Sequence, residues 1–250
     1  MDEVLLTAAT VEAAAQRLRP YVARTPLVPM RGTGVVLKAE SLQPSGSFKI
    51  RGAFNTILQL GERAQRVVAH SSGNHAQAVA VAGARLGVEV TVVMPDDAPR
   101  VKLDATRAAG ATVVIVGPDS AERAARAREL AAERDAALIE PYDSTAVLAA
   151  TATIATEVLH DLGQGDRTTI YVPISGGGLG GGVAAGAKLT DPSVRVVGVE
   201  PELAATAQAS RRAGERVAWA AADVARTIAD GLRVRRVGER PWPHIEAFVD

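Results

Sequence analysis

None of the 250 residues is a cysteine. That excludes disulfides, a thiolate nucleophile and cysteine-ligated zinc, and it leaves the redox compartment open. Net charge is lacking too: 28 Lys plus Arg are matched by 28 Asp plus Glu. A balanced chain carries no electrostatic footprint for nucleic acid or for an anionic membrane surface, so neither is expected as a partner. No apolar run reaches the roughly 18 residues of a membrane-spanning helix. The N-terminus lacks the basic start and apolar stretch of a signal peptide, and a cytoplasmic protein is the default expectation. Aromatics make up only 3%, and Trp219 and Trp242 read as packing residues. His70, His160 and His244 have no metal-ligand spacing; they read as surface or cap histidines, and no metal is expected.

What is present is an ordinary globular composition, 47% hydrophobic, in a chain long enough for one large domain or two small ones. Short apolar strands alternate with helical segments. Strands are predicted at residues 35–40, 66–70, 88–95, 111–117, 136–140, 168–174 and 194–200. Helices are predicted at 47–60, 74–87, 99–110, 120–135 and 144–163, the one at 120 with a Ser-x-Glu start. Continuous apolar strands between helices predict an α/β fold with two open, mostly parallel sheets. Residues 65–142 read as a small α/β domain inserted into a larger one made of 1–64 and 143–250.

Three stretches carry chemistry. In "SGSFKIRGA" (45–53) Lys49 stands between Phe48 and Ile50 in an apolar, Gly/Ser-padded segment, with Arg51 two residues on. Burial and nearby positive charge lower an amine's pKa, and a neutral amine attacks aldehydes. In "ISGGGLGGGV" (174–183) a glycine run joins a strand to a helix, so successive N–H groups and the helix N-terminus suit a phosphate. Gly176-x-Gly178-x-x-Gly181 also matches the dinucleotide fingerprint, with Glu200 ending the next strand, so NAD is a rival guest. In "HSSGNHAQ" (70–77) four polar residues crowd a turn at a helix start; helix capping and binding of a small anion or carboxylate both fit. Phosphate cradle, buried lysine and carboxylate turn together suggest pyridoxal 5'-phosphate.

"RTPL", "SGSFKIRGAFN", "HSSGNHAQA", "VPISGGGLGGGVAAG", "VVGVEPE" and "TIADGL" resemble, in order, the motifs of fold-type II pyridoxal-phosphate enzymes over nearly the whole chain. The branch that they resemble is that of the threonine/serine dehydratases and serine racemases. The resemblance implies Lys49 as the Schiff-base lysine, Phe48 lining the cofactor and Asn74 bonding the pyridine-ring hydroxyl. It implies backbone N–H groups of Gly176, Gly177, Gly178 and Leu179 on the phosphate, and Ser71, Ser72, Asn74 and His75 around the substrate carboxylate. Ser72 is implied either as a proton carrier opposite Lys49, which a racemase needs, or as a carboxylate ligand only. The implied reaction converts L-serine, L-threonine or a related β-hydroxy amino acid to a 2-oxo acid and ammonia. Racemisation of serine or aspartate, a catalytically dead cofactor-binding remnant and an NAD-binding protein are the alternatives, and a homodimer is the expected assembly.

The chain departs from the family pattern in three places. Ala150-Thr151-Ala152-Thr153 stands where the family has Gly-Gln-Gly-Thr, which is expected to alter close packing. Thr206 stands where metal-dependent members place a second acid beside Glu200, which puts cation binding in doubt. The family continues beyond "AFVD" and there supplies the partner of the pyridine nitrogen, so a C-terminally short, weak or inactive form is an expectation.

Overall fold

In a computed structural model, which describes residues 5–163 and 168–250, the chain divides into two compact units, Arg17–Pro141 and Met1–Gln16 with Tyr142–Asp250. Helix α1 is Ala8–Leu18. The Arg17–Pro141 unit begins with a small antiparallel hairpin of β1 (Leu27–Pro29) and β2 (Val36–Lys38), shorter than the strand expected at 35–40. Helix α2 (Lys49–Leu60) follows. Then come β3 (Arg66–His70), α3 (Asn74–Leu86), β4 (Glu89–Pro95), α4 (Arg100–Ala108), β5 (Thr112–Val116), α5 (Ser120–Glu133) and β6 (Ala137–Ile139). The four strands form one parallel sheet in the order β5-β4-β3-β6. The central strands are apolar on both faces because helices cover both, as in the cluster of Val68, Val93, Ala127, Leu130 and Ala131. Helix α5 is capped by Asp119, whose side chain accepts from the N–H groups of Ala121 and Glu122.

The order of this sheet positions the site. From β3 the chain moves outward to β4 and β5, then returns to place β6 on the other flank of β3. The connections leaving the C-terminal ends of β3 and β6 therefore diverge, and the crevice they open is where doubly wound sheets bind ligands.

The other unit contains α6 (Thr145–Leu162), β7 (Thr169–Pro173), α7 (Gly178–Thr190), β8 (Arg195–Val199), α8 (Thr206–Ala213), α9 (Ala221–Val224) and α10 (Pro241–Phe248). β7 and β8 pair in parallel around the glycine run. Leu6, Val11 and Ala14 pack on Leu148, Ala149 and Ala152 of α6 and Ala185 of α7. Helices α6 and α7 touch backbone to backbone. A methyl at Gly186 would overlap the Ala152 carbonyl, and one at Gly182 would overlap Thr151. The added side chains at 150–153 thus do not abolish close packing; glycines on the facing helix absorb it. Thr151 Oγ also donates to the carbonyl oxygen of Gly178 at 2.7 Å, tying α6 to the start of α7.

His244 is a correction to the sequence reading. Its ring is buried, its Nε2 accepts the Leu6 N–H at 3.0 Å, and its Nδ1 bonds the Arg240 carbonyl oxygen at 2.9 Å. It is an internal strut of this unit, and burial lowers its pKa.

Substituting Gly186 by Ala is expected to destabilise the protein by about 1–3 kcal/mol through overpacking. Gly231→Ala, where an added methyl meets nothing within 4 Å, is expected to change stability by less than about 0.5 kcal/mol. Urea-denaturation midpoints of the two variants check the contrast.

Candidate active site

Lys49 is the first residue of α2, reached from a turn through Gly46 at φ 72°. Its amine donates to the Pro141 carbonyl oxygen at 2.6 Å and stands 5.3 Å from the Phe48 ring centroid. Pro141 lies just past the end of β6, so the amine sits at the C-terminal edge of the sheet beside the β3/β6 crevice. Desolvation brings its pKa down to about 8, and its place at the positive end of the α2 dipole disfavours a cation in the same sense.

The sequence reading assigned part of that shift to Arg51, and the structure corrects this. Arg51, 0% exposed, makes a fork to Glu40, with Nε on Oε2 and Nη2 on Oε1, both 2.8 Å. Burial raises the Glu40 carboxyl pKa, but Arg51, with Thr25 and Gln43, outweighs it and holds the net value below the ordinary one. The guanidinium is spent anchoring α2 to the segment that precedes it, where breaking a buried pair costs about 3–5 kcal/mol; Lys49 is tuned by burial.

The turn after β3 holds the second group. Ser71 Oγ accepts the Gly73 N–H at 3.0 Å, which makes Ser71 a turn-closing residue. Ser72 and Asn74 are exposed. His75 points the other way: it is 4% exposed, and its Nε2 bonds the Ile139 carbonyl oxygen at 3.0 Å. Burial foremost, then the charge of Lys49, drives its pKa to about 3, so the ring is neutral, with Nε2 the donor. A methyl at Gly73 would come within 2.7 Å of Lys102 Cδ and 2.9 Å of its Nζ, so glycine there lets a lysine stem from α4 lie over the turn. Neither Lys102 nor the carbonyls of Ile139 and Pro141 were singled out from sequence. A main-chain acceptor has no residue-type signature, although a strand end at a reversal of strand order is where one would look.

In the other unit, Gly177 adopts φ 93°, a left-handed conformation that turns β7 into α7. Gly176 and Gly178 lie against Tyr142, where added methyls would come within 2.5 Å and 2.9 Å of it, and Gly176 O accepts the Gly238 N–H at 3.0 Å. Leu179 lies in the first turn of α7. These are the features of an anion-binding nest at a helix N-terminus. The dinucleotide reading needs Glu200 free for a ribose, but its carboxylate accepts the N–H groups of Ala207 and Gln208, both at 2.8 Å, at the start of α8. That carboxylate is a helix cap, and the rival reading loses its acid.

The residues fit pyridoxal phosphate on two counts. Lys49 is an amine whose neutral form is accessible near neutral pH. Two residues before it, Ser47 Oγ is buried without a hydrogen-bond partner in the described structure, a polar atom in want of one. The model of the family described as "Pyridoxal-phosphate dependent enzyme" matches residues 18–250. The chain belongs to that family. Two curated pyridoxal-phosphate family relatives are similar over nearly its whole length. L-threo-3-hydroxyaspartate ammonia-lyase of Saccharomyces cerevisiae is 39% identical over 245 residues, 95% of this chain and 74% of the relative. Serine racemase of Arabidopsis thaliana is 37% identical over 249 residues, 96% of this chain and 73% of the relative. Among solved structures, the threonine deaminase of T.th. superposes with a TM-score of 0.91 at 40% identity, covering 98% of this chain and 80% of that one. The pyridoxal-phosphate enzyme fold with open parallel α/β sheets, expected from the motifs, is the fold observed.

The neutral, buried His75 makes a pH prediction. An unfolded histidine protonates near 6.5 and the folded one only at about 3. The unfolded state binds more protons across that interval, so stability falls as pH drops below about 6.5. Between pH 7 and pH 5 the loss from this group is expected to be about 2 kcal/mol. Urea midpoints at the two pH values should show a smaller difference in His75→Gln than in the unmodified chain.

Proposed function

We propose that this pyridoxal-phosphate enzyme is an ammonia-lyase that converts a β-hydroxy amino acid to a 2-oxo acid and ammonia. The substrate class is L-serine, L-threonine or L-threo-3-hydroxyaspartate. The observation that carries the reading is the desolvated Lys49 amine at the strand crevice, with a pKa of about 8, beside a turn whose Ser72 and Asn74 face outward. In this reading Lys49 holds the cofactor covalently, with Phe48 against its ring and Asn74 on its ring hydroxyl. The N–H groups of Gly176, Gly177, Gly178 and Leu179 hold its phosphate. When bound, the cofactor supplies an electron sink for the charge left at the substrate Cα.

The work left to the chain is positional and proton-moving. Ser71, Ser72, Asn74 and the N-terminus of α3 orient the substrate carboxylate. His75 belongs to the same turn but acts from inside, since its ring faces Ile139. Lys49 Nζ, as a neutral amine, would take the Cα proton as general base, which a lowered pKa favours at neutral pH. That proton would pass to the β-hydroxyl, which leaves as water as its bond to Cβ breaks. One methyl separates serine from threonine, worth about 1–3 kcal/mol in an apolar pocket, so a mixed preference is expected.

Racemisation is the second reading, favoured by the exposed Ser72 on the turn, where a hydroxyl can return a proton to Cα from another face. The division into a cofactor-binding domain of 1–64 with 143–250 and a small domain of 65–142 is part of the proposal, as are a homodimer and a cytoplasmic location.

Borohydride reduction in the presence of pyridoxal phosphate is expected to leave a mass adduct on the peptide containing Lys49, absent in Lys49→Ala. Release of 2-oxo acid from the three amino acids is then expected, lost in the same variant; Ser72→Ala should lose any D-serine formation while lyase turnover persists with a raised KM. An unmodified Lys49 after reduction overturns the cofactor assignment. An adduct with D-serine and no oxo acid replaces the lyase by the racemase.

A further inference from the structure

Three consecutive residues at the end of β6 each hold one titratable side chain. Ile139 O takes His75 Nε2 at 3.0 Å, Glu140 Oε2 faces His70 Nε2 at 3.6 Å, and Pro141 O takes Lys49 Nζ at 2.6 Å. The backbone ladder between β3 and β6 ends on the first of these residues, at Ala69↔Ile139, one residue before Glu140. Pro141 has no N–H with which to extend it. Glu140 precedes a proline, which disfavours helical backbone there, and its carboxylate lies on the same face as His70, the last residue of the neighbouring strand. From that point the ion pair between His70 and Glu140 is what joins the two strand ends, with side-chain exposures of 15% and 35%.

We infer that the His70–Glu140 pair is a clamp that fixes the Pro141 carbonyl and, through it, the Lys49 amine, which makes His70 and Glu140 positioning residues of the site. The inference deepens the reading of Lys49 as the reactive lysine and rests on it. His75 from α3 faces His70 and the exposed Arg128 from α5 faces Glu140, while Lys49 from α2 ends on the adjoining Pro141 carbonyl. His70 foremost holds the Glu140 carboxyl below its ordinary pKa, against the opposing effect of burial, with Arg128 adding to the lowering. The carboxylate is therefore in place across the neutral range.

The test uses the full chain and a double variant, His70→Gln/Glu140→Gln, which removes the clamp while leaving the net charge of the protonated pair unchanged. His70→Arg keeps an ion pair at every pH. Two site readouts are taken, beside the melting temperature of each variant. The first is the pH midpoint of Lys49 acylation by acetic anhydride on cofactor-stripped protein, read by peptide mass. The second is the dissociation constant of pyridoxal phosphate. In the double variant the midpoint is expected to rise by about half a unit or more, as a loosened amine regains water. The dissociation constant is expected to rise about threefold or more, the scale of one partly buried ion pair. His70→Arg is expected to match the unmodified chain in both. An unchanged midpoint in the double variant overturns the clamp. So does a changed midpoint matched by a loss of melting temperature in both variants, which assigns the pair to general stability. If the unmodified chain binds no pyridoxal phosphate, the proposed function fails, while the acylation midpoint still decides the clamp.

Discussion

One contact organises this protein: a lysine amine, stripped of most of its water, resting on the carbonyl of Pro141. An ammonium ion in such a place is costly, and the cost is what makes the amine chemically useful, because its neutral form comes within reach of neutral pH. The surrounding unit is arranged to hold that amine still. Arg51 and Glu40 lock α2 from one end with a buried fork, β6 presents the acceptor, and a neutral His75 fills the space behind it.

Strand order explains why this happens at the end of β6. A sheet that winds outward from β3 and then returns to its other flank separates two connections at one edge, leaving main-chain groups there without neighbours in the ladder. The polar turn after β3 and the carbonyls after β6 both occupy that edge. The other unit follows a different logic: helices α6 and α7 approach until backbone meets backbone, which Gly182 and Gly186 permit. Thr151 uses the approach to grip the carbonyl of Gly178, at the start of α7.

Acid-base balance within the Arg17–Pro141 unit is settled by pairing. Arg51 is neutralised by Glu40, and Glu140 is held as a carboxylate by His70. Lys49 and His75 lack a carboxylate at that range and instead shed charge, the lysine toward about 8 and the histidine toward about 3. Lys49 and His75, whose charge burial disfavours, end on the carbonyls of Pro141 and Ile139, and the two paired charges brace the elements that carry them.

Much was legible from residue order alone. The alternating apolar strands and helical stretches identified all four strands of the parallel sheet and five helices, to within a residue or two, because burial on both faces writes itself as unbroken apolar runs. The Lys49 segment, the turn at 71–75 and the glycine run were visible because each sets residue types where ordinary packing would not. What order alone could not decide was partnership. That Arg51 belongs to Glu40, that His75 faces inward, that Glu200 caps α8 and that His244 is a strut are facts of three-dimensional proximity between distant positions. The acceptor for Lys49 is a backbone carbonyl 92 positions away. Every residue owns such a carbonyl, so only the folded strand order could single out this one.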